Sequence, residues 1–391
     1  MRKMTAHKPR WRAGIVALTA ATLVGGAVMT SAMSAAAPAP STCSFAPTAI
    51  GTDSGFTAAE KSAPFSTPKP ANHIAILAGF SNLAPAIMQQ NLAETVAINN
   101  TAAPSVAAKA VDDNYAIEGP AIFDALGSRL APAFADALTA GQLPKTSALL
   151  FGDDALIASR VGTSAEKKYF DYKRPFEVAP LLIRHYSDGR SDLYEAVRGS
   201  GSFPSGHSTW GYTQAFLIAS MLPEVGPQVL ARGADFGYHR IVLGVHYPLD
   251  VIGGRMTAEA SVAGILADPR FDQLLAQSKT ELRTVLAARV GGPIGRIVAC
   301  QQPWSPTPDA LASYRMRQTY SFVPAGDITR PVEVPLGAEN LIRAAHPTLS
   351  NAALRAILVK TALPAGYPLD KSGPSGGWQR LDIAAAWVAK S

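Results

Sequence analysis

Residues 203–222 read FPSGHSTWGYTQAFLIASML, a turn that leads into a largely apolar run. Pro204, Ser205 and Gly206 are turn and cap residues, and from Gly211 to Leu222 apolar side chains recur three and four apart, the spacing of one helix face. The same spacing predicts helices over 74–99, 122–140, 226–237, 251–267 and 273–290, whereas the Val/Ile/Thr alternation of strands is scarce. The expected fold class is therefore all-α, a helical bundle whose chemistry is carried on helix ends and loops.

Working outward from this stretch, a helix beginning at Ser205-Gly206 offers unpaired N–H groups and the positive end of a dipole. Such a terminus suits a bound phosphate, and Gly206 lets the backbone come close to an oxyanion. His207 falls in the first turn, near the same ligand. Alone, the tetrapeptide Pro204-Ser205-Gly206-His207 reads more readily as an ordinary cap followed by a surface histidine; the residues around it reverse that preference. Downstream lie His239-Arg240 and then His246-Tyr247-Pro248-Leu249-Asp250. Asp250, four residues after His246, can hold one imidazole nitrogen and leave the other to attack or to accept a proton. The planar fork of Arg240 can bind two phosphate oxygens. Upstream, Lys167 and Arg174-Pro175 supply two further cations. Three cations, two imidazoles and a carboxylate suffice to move a phosphoryl group without a metal.

The N-terminus sets the compartment. Arg2, Lys3, Lys8, Arg10 and Arg12 precede an apolar run from Ala13 to Val28 and then small residues around 32–37. This is the layout of a signal peptide, expected over 1–37, and it implies Sec-type export to the periplasm or medium. Five of the 35 basic residues and none of the 29 acidic ones lie in that segment, so its removal lowers the net charge from +6 to +1. The basic balance therefore carries no argument for nucleic-acid binding. The apolar stretch from Ile74 to Met88 is interrupted by Asn82 and Pro85 and is shorter than a spanning helix, so no integral membrane segment is expected after cleavage. Export also allows the two cysteines, Cys43 and Cys300, to pair.

Composition divides the rest. An extended segment is expected over 38–70, the main helical domain over 71–290, and a linker over 291–310, where Gly291-Gly292-Pro293 and a proline-rich run stand. A smaller, mainly helical C-terminal extension of unassigned role follows over 311–391, with helices expected near 337–342, 351–363 and 381–388.

Lys167, Arg174-Pro175, the stretch Gly201 to His207, Gly244-Val245-His246-Tyr247-Pro248 and Asp250 to Arg255 together resemble the type-2 phosphatidic acid phosphatase superfamily. Within it they are most similar to the soluble bacterial class A non-specific acid phosphatases, and the resemblance spans roughly 70–270. It implies a helical bundle of the acid phosphatase and vanadium haloperoxidase type. It further implies that His246 is the nucleophile, that Asp250 orients it, and that His207 is the general acid and later the base. Lys167, Arg174, Ser205, Gly206 and Arg240 would bind the phosphate, with no metal or other cofactor. The implied partner is a small phosphomonoester. Vanadium haloperoxidases hold vanadate on the same constellation, and that activity is the alternative reading, with lipid phosphates as alternative substrates. One departure is His239, where the family usually has serine; it is expected to be a neutral packing substitution. Neither oligomeric state nor physiological substrate is legible.

Overall fold

The computed structural model describes residues 43–51, 53–117 and 119–390; the expected signal peptide over 1–37 lies outside them. All regular structure among the described residues is helical. Three long helices form the centre: Gly206–Met221, Gly226–Val242 and Pro248–Leu266. From Ser208 to Met221 every side chain but Trp210 is buried, the signature of a helix surrounded by others on all sides. Small residues let these helices approach closely. A Cβ on Gly211 would sit 2.7 Å from the Phe236 ring, and one on Gly254 would sit 2.7 Å from the carbonyl oxygen of Ser205. The second contact brings the Asp250-bearing helix against the turn that precedes His207.

Several expected helices are shorter than their apolar patterns. The run from 74 divides into Ile74–Leu77, a 3-10 turn over Ala78–Asn82, and Pro85–Thr101, because Pro85 cannot donate a helical hydrogen bond and opens a new helix at its first position. The run over 122–140 is broken at Gly127, where φ is 95°, into a 3-10 turn and the helix Leu130–Thr139. Ala338–Ile342 is likewise 3-10. The helices Pro104–Tyr115, Pro144–Leu150, Ser164–Phe170 and Thr307–Thr319 were not expected.

In the expected linker, Ile294–Cys300 is a helix that buries Ile294 and Ile297, and Cys300 is disulfide-bonded to Cys43. The expected extended segment holds a capped turn of helix at Ala58–Ser62. The C-terminal residues pack on the bundle, and from Cys43 onward the chain is one compact unit. Arg255 and Glu259 form a fully buried ion pair at 2.6 Å. Arg255 also donates to the backbone carbonyls of Gln379 at 2.9 Å and Leu381 at 3.4 Å, so the tail is stitched to the helix that carries Asp250. No helix among the described residues is long and apolar enough to cross a membrane.

Candidate active site

Pro248 opens its helix at the first position, which places Asp250 at the third. From there one carboxylate oxygen, Oδ2, accepts three hydrogen bonds: from the Tyr247 N–H at 2.9 Å, from the Ser202 hydroxyl at 2.5 Å and from Nδ1 of His246 at 3.0 Å. Burial raises the Asp250 carboxyl to about 6, against the pull of Ser202, the Tyr247 N–H and Lys167. With Nδ1 donating to a carboxylate, Nε2 of His246 keeps its lone pair, and Nη1 of Arg174 lies 3.0 Å from it. Burial, followed by the charges of Arg174, Lys167 and Arg240, holds this imidazole well below its ordinary range. His246 is thus a buried, neutral base with its free nitrogen turned into a cluster of cations.

The cations differ in how they are held. Lys167, on Ser164–Phe170, donates to the Gly201 carbonyl at 2.6 Å; burial and the neighbouring Arg174 lower its ammonium to about 7. Arg174 precedes the short helix Pro175–Val178. Its guanidinium donates to the carbonyls of Val197, Ser200, Gly201 and Val245 and to the Ser200 hydroxyl. Arg240, in the last turn of Gly226–Val242, makes one side-chain hydrogen bond among the described residues, from Nη1 to Oδ1 of Asn114 at 2.5 Å. Its Nε and Nη2 are buried with no partner among the described residues. Buried guanidinium donors without acceptors are costly, and an anion with two oxygens is the ligand that satisfies that edge.

Ser205 caps the His207 helix, its Oγ accepting from the Ser208 N–H at 3.2 Å, while its own N–H donates to the Asp250 carbonyl at 2.9 Å. Gly206 begins the helix, and a Cβ there would lie 3.2 Å from Oγ1 of Thr163. His207 follows, with Nε2 3.2 Å from the Asn114 carbonyl oxygen. Burial and then Arg240 push its imidazole well below the usual range. Lys167, Gly206 and His207 retain partial exposure, whereas Arg174, Ser205, Arg240, His246 and Asp250 are buried. All eight residues singled out in the sequence therefore belong to one contact network.

Two features escaped the sequence reading. Ser202 anchors Asp250, yet nothing in its local sequence distinguishes it from other loop serines. His239 is no neutral packing residue: Nδ1 lies 2.7 Å from Oδ2 of buried Asp113, which also pairs with Arg232 at 2.7 Å. Although burial raises it, the His239 and Arg232 contacts hold that carboxyl well below the usual carboxylate range. Burial lowers His239, so at neutral pH it is an uncharged donor to an ionised aspartate.

Comparison with known proteins places this geometry in context. Residues 154–272, which contain the whole network except the 113–114 contacts, match the PAP2 superfamily. A 120-residue stretch is 33% identical to the non-specific acid phosphatase of Salmonella typhimurium, covering 31% of this chain and 46% of that protein. The non-specific acid phosphatase of Providencia stuartii is 30% identical over 118 residues, 30% of this chain and 45% of its own. The acid phosphatase of Zymomonas mobilis is 33% identical over 116 residues, 30% of this chain and 42% of its own. The chain thus spans somewhat under half the length of these relatives.

Proposed function

We propose that this chain, whose residues 154–272 carry a PAP2 superfamily domain, is an exported, metal-independent acid phosphatase acting on phosphomonoesters through a phosphohistidine. The observation that carries the reading is the bare Nε2 of His246, oriented by Asp250 and ringed by Lys167, Arg174 and Arg240. Nε2 attacks phosphorus as the bond to the leaving oxygen breaks. The leaving electron pair goes to that oxygen, which takes a proton from His207. The imidazolium formed on His246 is balanced by Asp250. Water, giving a proton to His207, then attacks phosphorus, breaks the P–N bond and releases phosphate. The three cations and the Gly206 N–H neutralise charge on the equatorial oxygens, which is where most of the barrier is removed in phosphoryl transfer.

The decisive experiment is phosphate release across sugar, nucleotide, aryl and lipid phosphates, with and without chelator, combined with trapping of an acid-labile, alkali-stable phosphoenzyme. Chelator-insensitive release and a trapped phosphoenzyme support the reading. Release abolished by chelator, or vanadate-dependent halide oxidation in place of release, contradicts it.

The pH dependence follows from the opposed needs of the two imidazoles. His207 must begin protonated, and its low free-enzyme value puts the alkaline limb of kcat/KM below the ordinary imidazole range. A bound phosphate ester offsets the cations that depress it, so the alkaline limb of kcat should lie at higher pH than that of kcat/KM. The acid limb belongs to the coupled His246–Asp250 pair. Ser202→Ala removes a bond that lowers Asp250, so its acid limb should move to higher pH, with kcat down roughly 10-fold to 100-fold, the worth of a hydrogen bond to a charged group. Steady-state kinetics over pH 4 to about 9 check both expectations; coincident alkaline limbs or an unmoved acid limb count against them.

A further inference from the structure

The helix Pro104–Tyr115 packs along Gly226–Val242, and its last turn presents two consecutive residues to two consecutive residues. Asp113 takes His239, and Asn114 takes Arg240. Asp113 is itself fixed by Arg232 at 2.7 Å and Lys109 at 3.1 Å, so the mount is rigid. Arg240 has only donors, which makes the Asn114 atom facing it the amide oxygen. That contact occupies Nη1 and leaves Nε and Nη2, the two donors along one edge of the guanidinium, without partners among the described residues. The backbone carbonyl of the same residue lies 3.2 Å from Nε2 of His207. A carbonyl can only accept, so Nε2 carries the hydrogen.

On the phosphatase reading above, we propose that Asn114 is a positioning residue for both partners of the transfer. Its side chain aims the Nε/Nη2 edge of Arg240 at two phosphate oxygens, and its carbonyl fixes the His207 tautomer so that Nδ1 gives and takes the catalytic proton. Protonated His207 loses the Nδ1 hydrogen to the leaving oxygen, and bare Nδ1 later takes one from water; Nε2–H stays on Asn114 throughout. An amide suits the position because it orients Arg240 without cancelling its charge. A carboxylate there would neutralise one of the three cations and stabilise the imidazolium of His207.

The test uses the full chain and inorganic phosphate as the probe. Asn114→Ala should raise the inhibition constant for phosphate about tenfold, the scale of one hydrogen bond to a charged group, with an unmoved alkaline limb, since the backbone carbonyl remains. The near-isosteric Asn114→Asp should weaken phosphate binding further and move the alkaline limb to higher pH, a response that a purely structural role would not give. In the unaltered protein, 15N NMR of the histidines above the His207 transition should show Nε2 protonated and Nδ1 bare, a measurement independent of how the variants fold. Wild-type phosphate affinity in both variants, or a His207 protonated at Nδ1 alone, overturns the assignment while leaving the phosphatase reading intact. Failure of the unaltered protein to bind phosphate or to release it from any ester overturns both.

Discussion

Substitution of His246 by alanine is expected to lower kcat for phosphomonoester hydrolysis by a factor of roughly 10⁴ or more, the scale seen when a nucleophile is removed. Nothing nearby can replace it. Ser205 is engaged as a helix cap, Ser202 donates to Asp250, and His207 is turned toward Asn114. Binding should survive, because the cations keep other mounts when the imidazole is lost: Lys167 on Gly201, Arg174 on the carbonyls of residues 197, 200, 201 and 245, Arg240 on Asn114. Asp250 keeps two donors, the Tyr247 N–H and the Ser202 hydroxyl, so the variant should fold. Inhibition of any residual activity, or calorimetric titration with phosphate, should give an affinity within a few-fold of the unaltered protein. Turnover within tenfold of the unaltered protein would remove His246 from the role of nucleophile.

Replacement of Glu259 by alanine should cost roughly 3 to 5 kcal/mol of stability, because it leaves the guanidinium of Arg255 buried without its counter-ion. Both side chains are completely buried, and the pair is closed at 2.6 Å. Burial pushes the Glu259 carboxyl up to about 7 against the pull of Arg255, so the pair sits in a strongly desolvating interior. Glu259→Gln should cost less, since the amide oxygen still accepts. Urea denaturation, read as the change in midpoint at constant slope, checks the order; a Glu259→Ala protein within about 1 kcal/mol of the unaltered one would show that the backbone carbonyls of residues 378, 379 and 381 suffice to support Arg255.

What was legible in the sequence was local. The His246–Asp250 spacing gives the contact directly because both lie within one helix start, where Pro248 fixes the phase. The long helices were legible wherever an apolar face exceeds two turns. Their interruptions at Pro85 and Gly127 were not, because the apolar pattern runs through a break that only the backbone decides. Helices of small and charged residues were missed altogether, and Pro104–Tyr115 is the costliest omission since it delivers Asp113 and Asn114 to the site. No spacing rule links Asn114 with Arg240 across 126 positions. His239 was misjudged for the same reason: its meaning lies in Asp113, on another helix.

The stitching of Arg255 to the C-terminal tail separates two boundaries that are easily taken as one. Similarity to the PAP2 superfamily ends at residue 272, but the carbonyls that satisfy the buried Arg255 stand at 379 and 381. The matched stretch and the compact unit that begins at Cys43 thus end more than a hundred residues apart. A fragment cut at the edge of similarity would expose a desolvated ion pair and the apolar faces around it. Such a fragment would test its own insolubility rather than its catalysis.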